Sequence, residues 1–371
     1  MTRRFYPREG GRPLKTPTFS LLQISFIFIQ SIGLVNHVLV IPLLLDASGR
    51  DAWISVLATF LILVPFFLLI ARMIMSLNRQ AALAYLQERF GSVVSRTIAG
   101  LFAVALTLSA AVTVKDMTTW TTSSYLPFTP QYAVSASFLL LCAYTASRGL
   151  RSVALSAGIL LPFIVVFGEF VMIANWPHKD YGLLFPIFER DAAAFSRGIP
   201  FAGSGLVELL LLLFVQHHVS TSIKKRHLLL LAVLLTGLTL GPLLGSIAEF
   251  GPVEGSLQRY PAFEQWRLVK IGSFIEHVDF LSIFQWVSGA FVRLSFTLWL
   301  IFQFFNFHKL ALPIVTLAIL GLVLYPIGDI SFISLLTHFY FPADFYTMLA
   351  MSLILLILFK IPAKKRQGAQ S

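Results

Sequence analysis

The chain has little charge and almost no cysteine. Only 12% of its 371 residues are Asp, Glu, Lys or Arg, whereas 57% are apolar and the mean hydropathy is +0.81. This balance excludes an ordinary water-soluble domain and fits a polytopic helical membrane protein, with lipid bilayer as its surroundings. The single cysteine, Cys142, lies in an apolar run, so an intrachain disulfide and a cysteine-based metal site are both excluded. Eight histidines are scattered along the chain. None of them, the pair His217-His218 included, has carboxylate or cysteine company at metal-ligand spacing. Nothing resembles a phosphate-binding glycine loop, a hydrolase nucleophile or a dinucleotide fingerprint. No enzyme activity, metal or cofactor is therefore expected. Acidic residues are the scarcer sign, 17 against 28 Lys and Arg, for a net charge of +11. The cations flank apolar segments rather than forming one patch, so no nucleic-acid partner is expected.

A spanning helix needs about 20 mostly apolar residues. Ten candidates stand out, at about 19–44, 52–72, 97–122, 131–147, 151–174, 199–217, 228–249, 280–305, 310–328 and 343–360. The start, Met1 to Lys15, is basic, and the apolar run behind it is too long for a signal peptide. A cytoplasmic tail (1–18) leading into the first span is expected, with a second tail at 361–371. Segment 73–95 is amphipathic and is expected at the membrane surface. With the N-terminus inside, 19 of the 28 cations fall on the inner side and seven on the outer side, leaving Lys115 and Arg293 within spans. The positive-inside rule thus supports ten spans with both ends cytoplasmic. The expected fold class is an all-α membrane protein forming one transmembrane domain over 1–371. Its ten spans divide into five-helix halves, 19–174 and 199–360, and an odd repeat length inverts the second half relative to the first.

Two spans carry Gly/Ser interruptions at matching places: Ser31-Ile32-Gly33 in span 1 and Gly203-Ser204-Gly205 in span 6. Helix breaks at membrane depth are tolerated where backbone lines a cavity or is buried in protein, and paired breaks point to a midplane site. Glu208 follows the second break directly. A carboxylate at that depth needs a partner or a cavity. Arg293 lies in the middle of span 8. The two either pair with each other or each face a ligand. A half-helix N-terminus suits a carboxylate and free carbonyls suit an ammonium, so an α-amino acid fits both ends of such a site. Lys115 and Asp116 in span 3 point different ways and need separate partners; Glu169 in span 5 is a candidate for Lys115. Segment 250–279 is too charged to span. It is expected to form a short amphipathic helix over the mouth of the bundle, as a lid or a partner surface.

The run from Arg259-Tyr260-Pro261 through Glu264, Arg267, Ile271-Gly272-Ser273-Phe274-Ile275-Glu276 and Asp279 to Trp286 and Ser295 resembles the endospore germination permeases. These are the B subunits of the GerA-type nutrient germinant receptors. Gln23 and Pro42 around span 1, Asp51-Ala52-Trp53-Ile54-Ser55, Leu126-Pro127-Phe128-Thr129-Pro130 and Leu184-Phe185-Pro186 agree in order. Three positions depart from the pattern. Val207 stands before Glu208 where glycine is usual, His277 replaces an arginine, and Arg293 replaces the commoner lysine.

The resemblance implies an amino acid–polyamine–cation (LeuT-like) fold with a 5+5 inverted repeat and broken helices 1 and 6. It implies a ligand site between spans 1, 3, 6 and 8, in the inner membrane of a bacterial endospore. It implies a small nutrient ligand, often an amino acid, and two partners: a larger membrane A subunit and a lipoprotein C subunit. By position the ligand-binding candidates are Ser31, Gly33, Thr113, Ser204, Gly205, Glu208 and Arg293. Nutrient sensing is the expected function; an amino-acid/cation secondary transporter is the alternative.

Overall fold

The computed structural model describes residues 19–189, 192–270 and 277–361. The basic stretch 1–15, Arg190, the block 271–276 and the cations at 364–366 lie outside the described residues. The chain folds as α1 (Leu21–Leu34), α2 (Val40–Ser48), α3 (Ala52–Ser76), α4 (Ala82–Phe90) and α5 (Ser92–Ser124). There follow α6 (Gln131–Ser147), α7 (Leu150–Ala174), α8 (Ala192–Val207), α9 (Leu212–Val215) and α10 (Lys225–Leu257). The last five are α11 (Pro261–Leu268), α12 (Phe280–Phe304), α13 (Ala311–Leu324), α14 (Asp329–Leu335) and α15 (Phe341–Lys360). Among the described residues, seven helical runs are long and apolar enough to cross a membrane. One of these is the 56-residue run Leu21–Ser76, which a turn at Gly49–Asp51 divides; Gly49 there has φ 57°, which a side chain would strain. The short amphipathic α4 occupies the region expected at the membrane surface.

Sequence sets the ends of several elements. Ser20 caps α1, its hydroxyl accepting from the Gln23 amide while the Gln23 side chain accepts from the Ser20 amide. α10 bends at Gly251, whose φ of 76° is closed to most residues. The apolar surface is distributed as lipid solvent requires. The span containing α8 and α9 is 94% buried over its apolar window, and α12 is 78% buried. By contrast α7 is only 17% buried and presents Leu155, Ile159, Val166 and Ile173 outward. α12 packs against α1, α5, α6 and α7, and α8 packs against α2, α3 and α15. Two central helices are thus ringed by others whose apolar faces look out.

Both ends of the described chain lie at one end of the bundle. The backbone of Phe19 pairs with His218 and Ser220, Arg79 donates to the Val219 carbonyl, and Gln216 donates to the carbonyl of Gln80. Arg89, just beyond on α4, donates to the carbonyl of Phe359.

The helix irregularities fall away from the glycines expected to cause them. Ser31 and Gly33 lie within α1, and the distortion is a π-helical turn at Val35–Leu39. Likewise Gly203, Ser204 and Gly205 lie within α8, and the distortion is a 3₁₀ turn at Glu208–Leu211. The glycines act as contact points instead. A Cβ on Gly203 would stand 2.3 Å from the Phe345 ring, and one on Gly205 would stand 2.0 Å from Asn36 Oδ1. The small residues let α8 approach α1 and α15 closely, and helix continuity survives because glycine in a packed membrane helix keeps its backbone hydrogen bonds.

Candidate functional site

The centre of the bundle is organised by Arg293 on α12. Its guanidinium has five N–H donors in a fixed fork, and all five are engaged by the protein. Nε donates to Thr113 Oγ1 at 3.1 Å. One terminal nitrogen donates to the Ser31 carbonyl at 3.0 Å and to Glu208 Oε2 at 2.7 Å. The other donates to Ser109 Oγ at 2.6 Å and to Glu208 Oε1 at 2.5 Å. The pairing with Glu208 is bidentate, the strongest arrangement open to the two groups. Arg293 is 3% exposed and Glu208 4%, so neither charge is shared with solvent.

Four of the seven residues singled out from sequence meet here: Ser31, Thr113, Glu208 and Arg293. Gly33 does not; a Cβ there would meet Leu238 of α10 at 3.3 Å. Ser204 turns back to its own helix, donating to the Phe201 carbonyl at 3.0 Å. Gly205 lies one step away, pressed against Asn36. Asn36 is fully buried in the π turn, and among the described residues neither polar atom of its amide has a hydrogen-bond partner. Such a group costs free energy unless something polar meets it.

Sequence reasoning passed over three contributors. Ser109 is one turn below Thr113 on the same face of α5, a spacing that was available as a signal. Tyr340 and Asp344, from the π turn Leu336–Tyr340 and α15, interact electrostatically with Glu208 and Arg293. Asp344 was visible only as an acid near the start of the last apolar run.

Aromatic layers close the site on both sides. Seven residues along α5 from Thr113 stands Trp120, and seven along α12 from Arg293, in the opposite chain direction, stands Trp286. Two turns of helix make that about 10 Å on each side, and the two indoles stack with centroids 4.0 Å apart. Tyr260 and Phe263 pack edge-on against this pair at 4.9 and 5.4 Å. Toward the other end, Phe28 meets Phe296 at 5.3 Å, and Phe102, Phe214 and Phe304 form a further cluster. The Glu208–Arg293 pair is therefore enclosed.

Over the tryptophan pair lies α11, the short helix expected in 250–279. Gln265 donates to the Pro242 carbonyl at 3.0 Å and to Ser246 Oγ at 2.9 Å, and Trp266 donates to Gln285 at 3.1 Å. Just ahead of the helix, Arg259 donates to Asp116 at 2.6 Å and lies 3.4 Å from Asp329. Burial works against the Arg259 cation, but Asp116 and its neighbours outweigh it and hold the guanidinium protonated. Burial and the adjacent Asp116 carboxylate push the Tyr260 hydroxyl well above its ordinary range, so it stays neutral. Asp116 thus finds its partner in the covering segment. Lys115, one residue earlier, does not meet Glu169, which is exposed on α7. Its ammonium instead caps the end of α13, donating to the carbonyls of Val323 at 3.0 Å and Tyr325 at 3.4 Å. Free carbonyls at a helix C-terminus attract a cation more directly than an acid across the bundle.

Comparison with known proteins finds relatives along most of the chain. The family model described as "Spore germination protein" matches residues 18–303. The chain is 36% identical over 354 residues to Spore germination protein XB of Bacillus anthracis, covering 94% of this chain and 99% of that one. It is 25% identical over 256 residues to Spore germination protein GerQB of Bacillus cereus, covering 68% and 69%.

Proposed function

Because the chain belongs to the spore germination protein family of membrane permeases, we propose that it is the nutrient-sensing B-type subunit of a spore germinant receptor. In this reading it lies in the inner membrane of the endospore with both termini cytoplasmic. It works with a membrane A subunit and a lipoprotein C subunit. Its ten crossings form two inverted five-helix halves. Support comes from the shared end of Phe19 and Phe359, and from the distorted first crossing of each half, at 35–39 and 208–211. The two distortions lie beside one another where Gly205 meets Asn36.

The observation that carries the proposal is the enclosed Glu208–Arg293 pair with every guanidinium donor taken. A ligand carboxylate gains Arg293 by displacing one of its protein acceptors, and Glu208 is the one whose charge and fork it reproduces. The freed Glu208 then faces the ligand ammonium. A zwitterionic amino acid satisfies both halves of this exchange, and the unpartnered Asn36 amide supplies a further polar contact. A small molecule that re-pairs buried charges prefers one arrangement of the bundle, which is what a sensor requires.

The test is germination of spores lacking this gene across single amino acids, sugars and nucleosides. Loss of one response, restored by the wild-type gene but not by Gly205→Leu, supports a sensor and names its ligand class. A normal response from Gly205→Leu removes the pocket assignment. Concentrative amino-acid uptake by the purified protein in liposomes, collapsing with the ion gradient, would replace sensing by transport.

A further inference from the structure

A second site lies far from the Glu208–Arg293 pair, at the end of the bundle that holds Phe19. There a cleft of about 610 Å³ opens between the end of α3 and the segment leading into α10. Arg79, Lys224, Lys225 and Arg226 line it together with the hydroxyls of Thr221 and Ser222. No carboxylate lines it among the described residues. Arg79 is already held by the Val219 carbonyl, and the Arg226 Nε donates to the ring of His227 at 3.3 Å; among the described residues neither has a carboxylate partner. The Thr221 and Ser222 side chains are exposed and, among the described residues, donate to no protein acceptor. Four cations around one concavity with no lining carboxylate repel one another, and an anion that joins them relieves that repulsion while the two hydroxyls can donate to it.

The chemistry of the rim narrows the anion. Ile74, Met75 and Ile223 line the same cleft, and Met75 is 54% exposed. Beyond the cleft, the outward faces of the adjacent helices α3 and α10 are apolar, with Leu61, Ile62, Leu230 and Val233 exposed. A basic pocket at the end of an apolar, outward-facing seam matches an amphiphile: a phosphate head in the cleft and acyl chains along the seam. We propose that this cleft is a binding site for the phosphate headgroup of an anionic phospholipid. It is separate from the nutrient site and independent of the identity of the nutrient. The basic segment 224–226 leads directly from the span that carries Glu208 into α10, so lipid bound there braces the inner end of that span.

The test uses the purified full-length chain in detergent, with phosphatidylglycerol, phosphatidylcholine or inorganic phosphate added at matched concentrations. Native mass spectrometry reads lipid retention and thermal unfolding reads stabilisation. Phosphatidylglycerol is expected to be retained and to raise the melting temperature, whereas phosphatidylcholine is not. Lys225→Gln with Arg226→Gln, both at exposed positions, is expected to weaken phosphatidylglycerol retention by roughly fivefold per removed cation. Arg96→Gln with Arg148→Gln, elsewhere on the expected inner surface, should change it by less than about twofold. Should the double variant misfold, Lys225→Gln alone carries the same comparison. Equal losses in the two double variants would reduce the effect to diffuse surface charge and overturn the site. Equal retention of phosphatidylcholine would do the same. A matching stabilisation by inorganic phosphate alone would leave a free-anion site and overturn the lipid assignment.

Discussion

Two arginine–carboxylate centres lie along the same axis of this protein, and they differ in what holds them. Arg293 and Glu208 come from two crossing helices at the core, with α1 and α5 supplying the remaining acceptors. Arg259 and Asp116 join a crossing helix to the segment that covers the mouth, and the Arg259 side chain keeps 21% exposure. In the first, the guanidinium is enclosed and saturated. In the second, among the described residues, Asp116 Oδ2 is buried without a partner and the Arg259 Nε has no well-formed hydrogen bond. Identical chemistry thus serves two purposes. The inner pair is part of the packing and changes only if something replaces a partner. The outer pair is a latch between a helix and a cover, with only its arginine in partial contact with solvent.

Removing one partner from the inner pair should have the largest effect. Arg293→Leu strands the Glu208 carboxylate, and a loss of about 3–5 kcal/mol is expected, read as a lowered melting temperature and reduced protein in the membrane. Glu208→Gln combined with Arg293→Gln should recover much of that loss. A double variant as unstable as the single one would mean the two residues do not act as a pair. Next comes Gly205→Ala, whose methyl must displace Asn36. It should cost about 1–3 kcal/mol as an overpacked contact and reduce nutrient response more than Gly100→Ala, where a Cβ meets nothing within 4 Å.

Arg259→Gln should destabilise by about 1–3 kcal/mol, through the carboxylate it leaves buried. Hydrogen exchange in α11 should rise while the core of α12 stays protected, and Asp116→Asn in the same chain should reverse part of the change. Equal exchange in both helices would erase the distinction between latch and core. The smallest effect is expected from Arg267→Gln. Its partner Glu264 is three residues away on the same exposed helix face, and such pairs contribute within about 0.5 kcal/mol. A larger loss would show that the cover is held by its surface charges and not by Arg259 and the Gln265 contacts.

Much of this was legible in the primary structure. Runs of apolar residues, the flanking cations and the charged interval 250–279 announced crossing helices and a covering segment, because bilayer thickness dictates length and exclusion of charge. Glu208 and Arg293 stood out because ionised groups at that depth are rare. The site was less legible where its members carry no such anomaly. Ser109 looks like any membrane-helix serine, and Trp120 and Trp286 like ordinary interfacial aromatics, until α5 and α12 bring them together.

Sequence also misplaced the distortions. Glycine marks a position that tolerates a break or a close approach, and local composition does not choose between them. That choice depended on what lay opposite: Phe345 and Asn36 filled the space beside Gly203 and Gly205, so the helix stayed wound there and tightened into a 3₁₀ turn further on, at Glu208. Composition and periodicity determined that this chain crosses a membrane as helices, with two charges it must neutralise inside. Tertiary packing alone decided that those charges neutralise each other, that Lys115 caps α13, and that Asp116 holds the cover. Partner choice among buried groups depends on three-dimensional distance, which spacing along the chain does not encode.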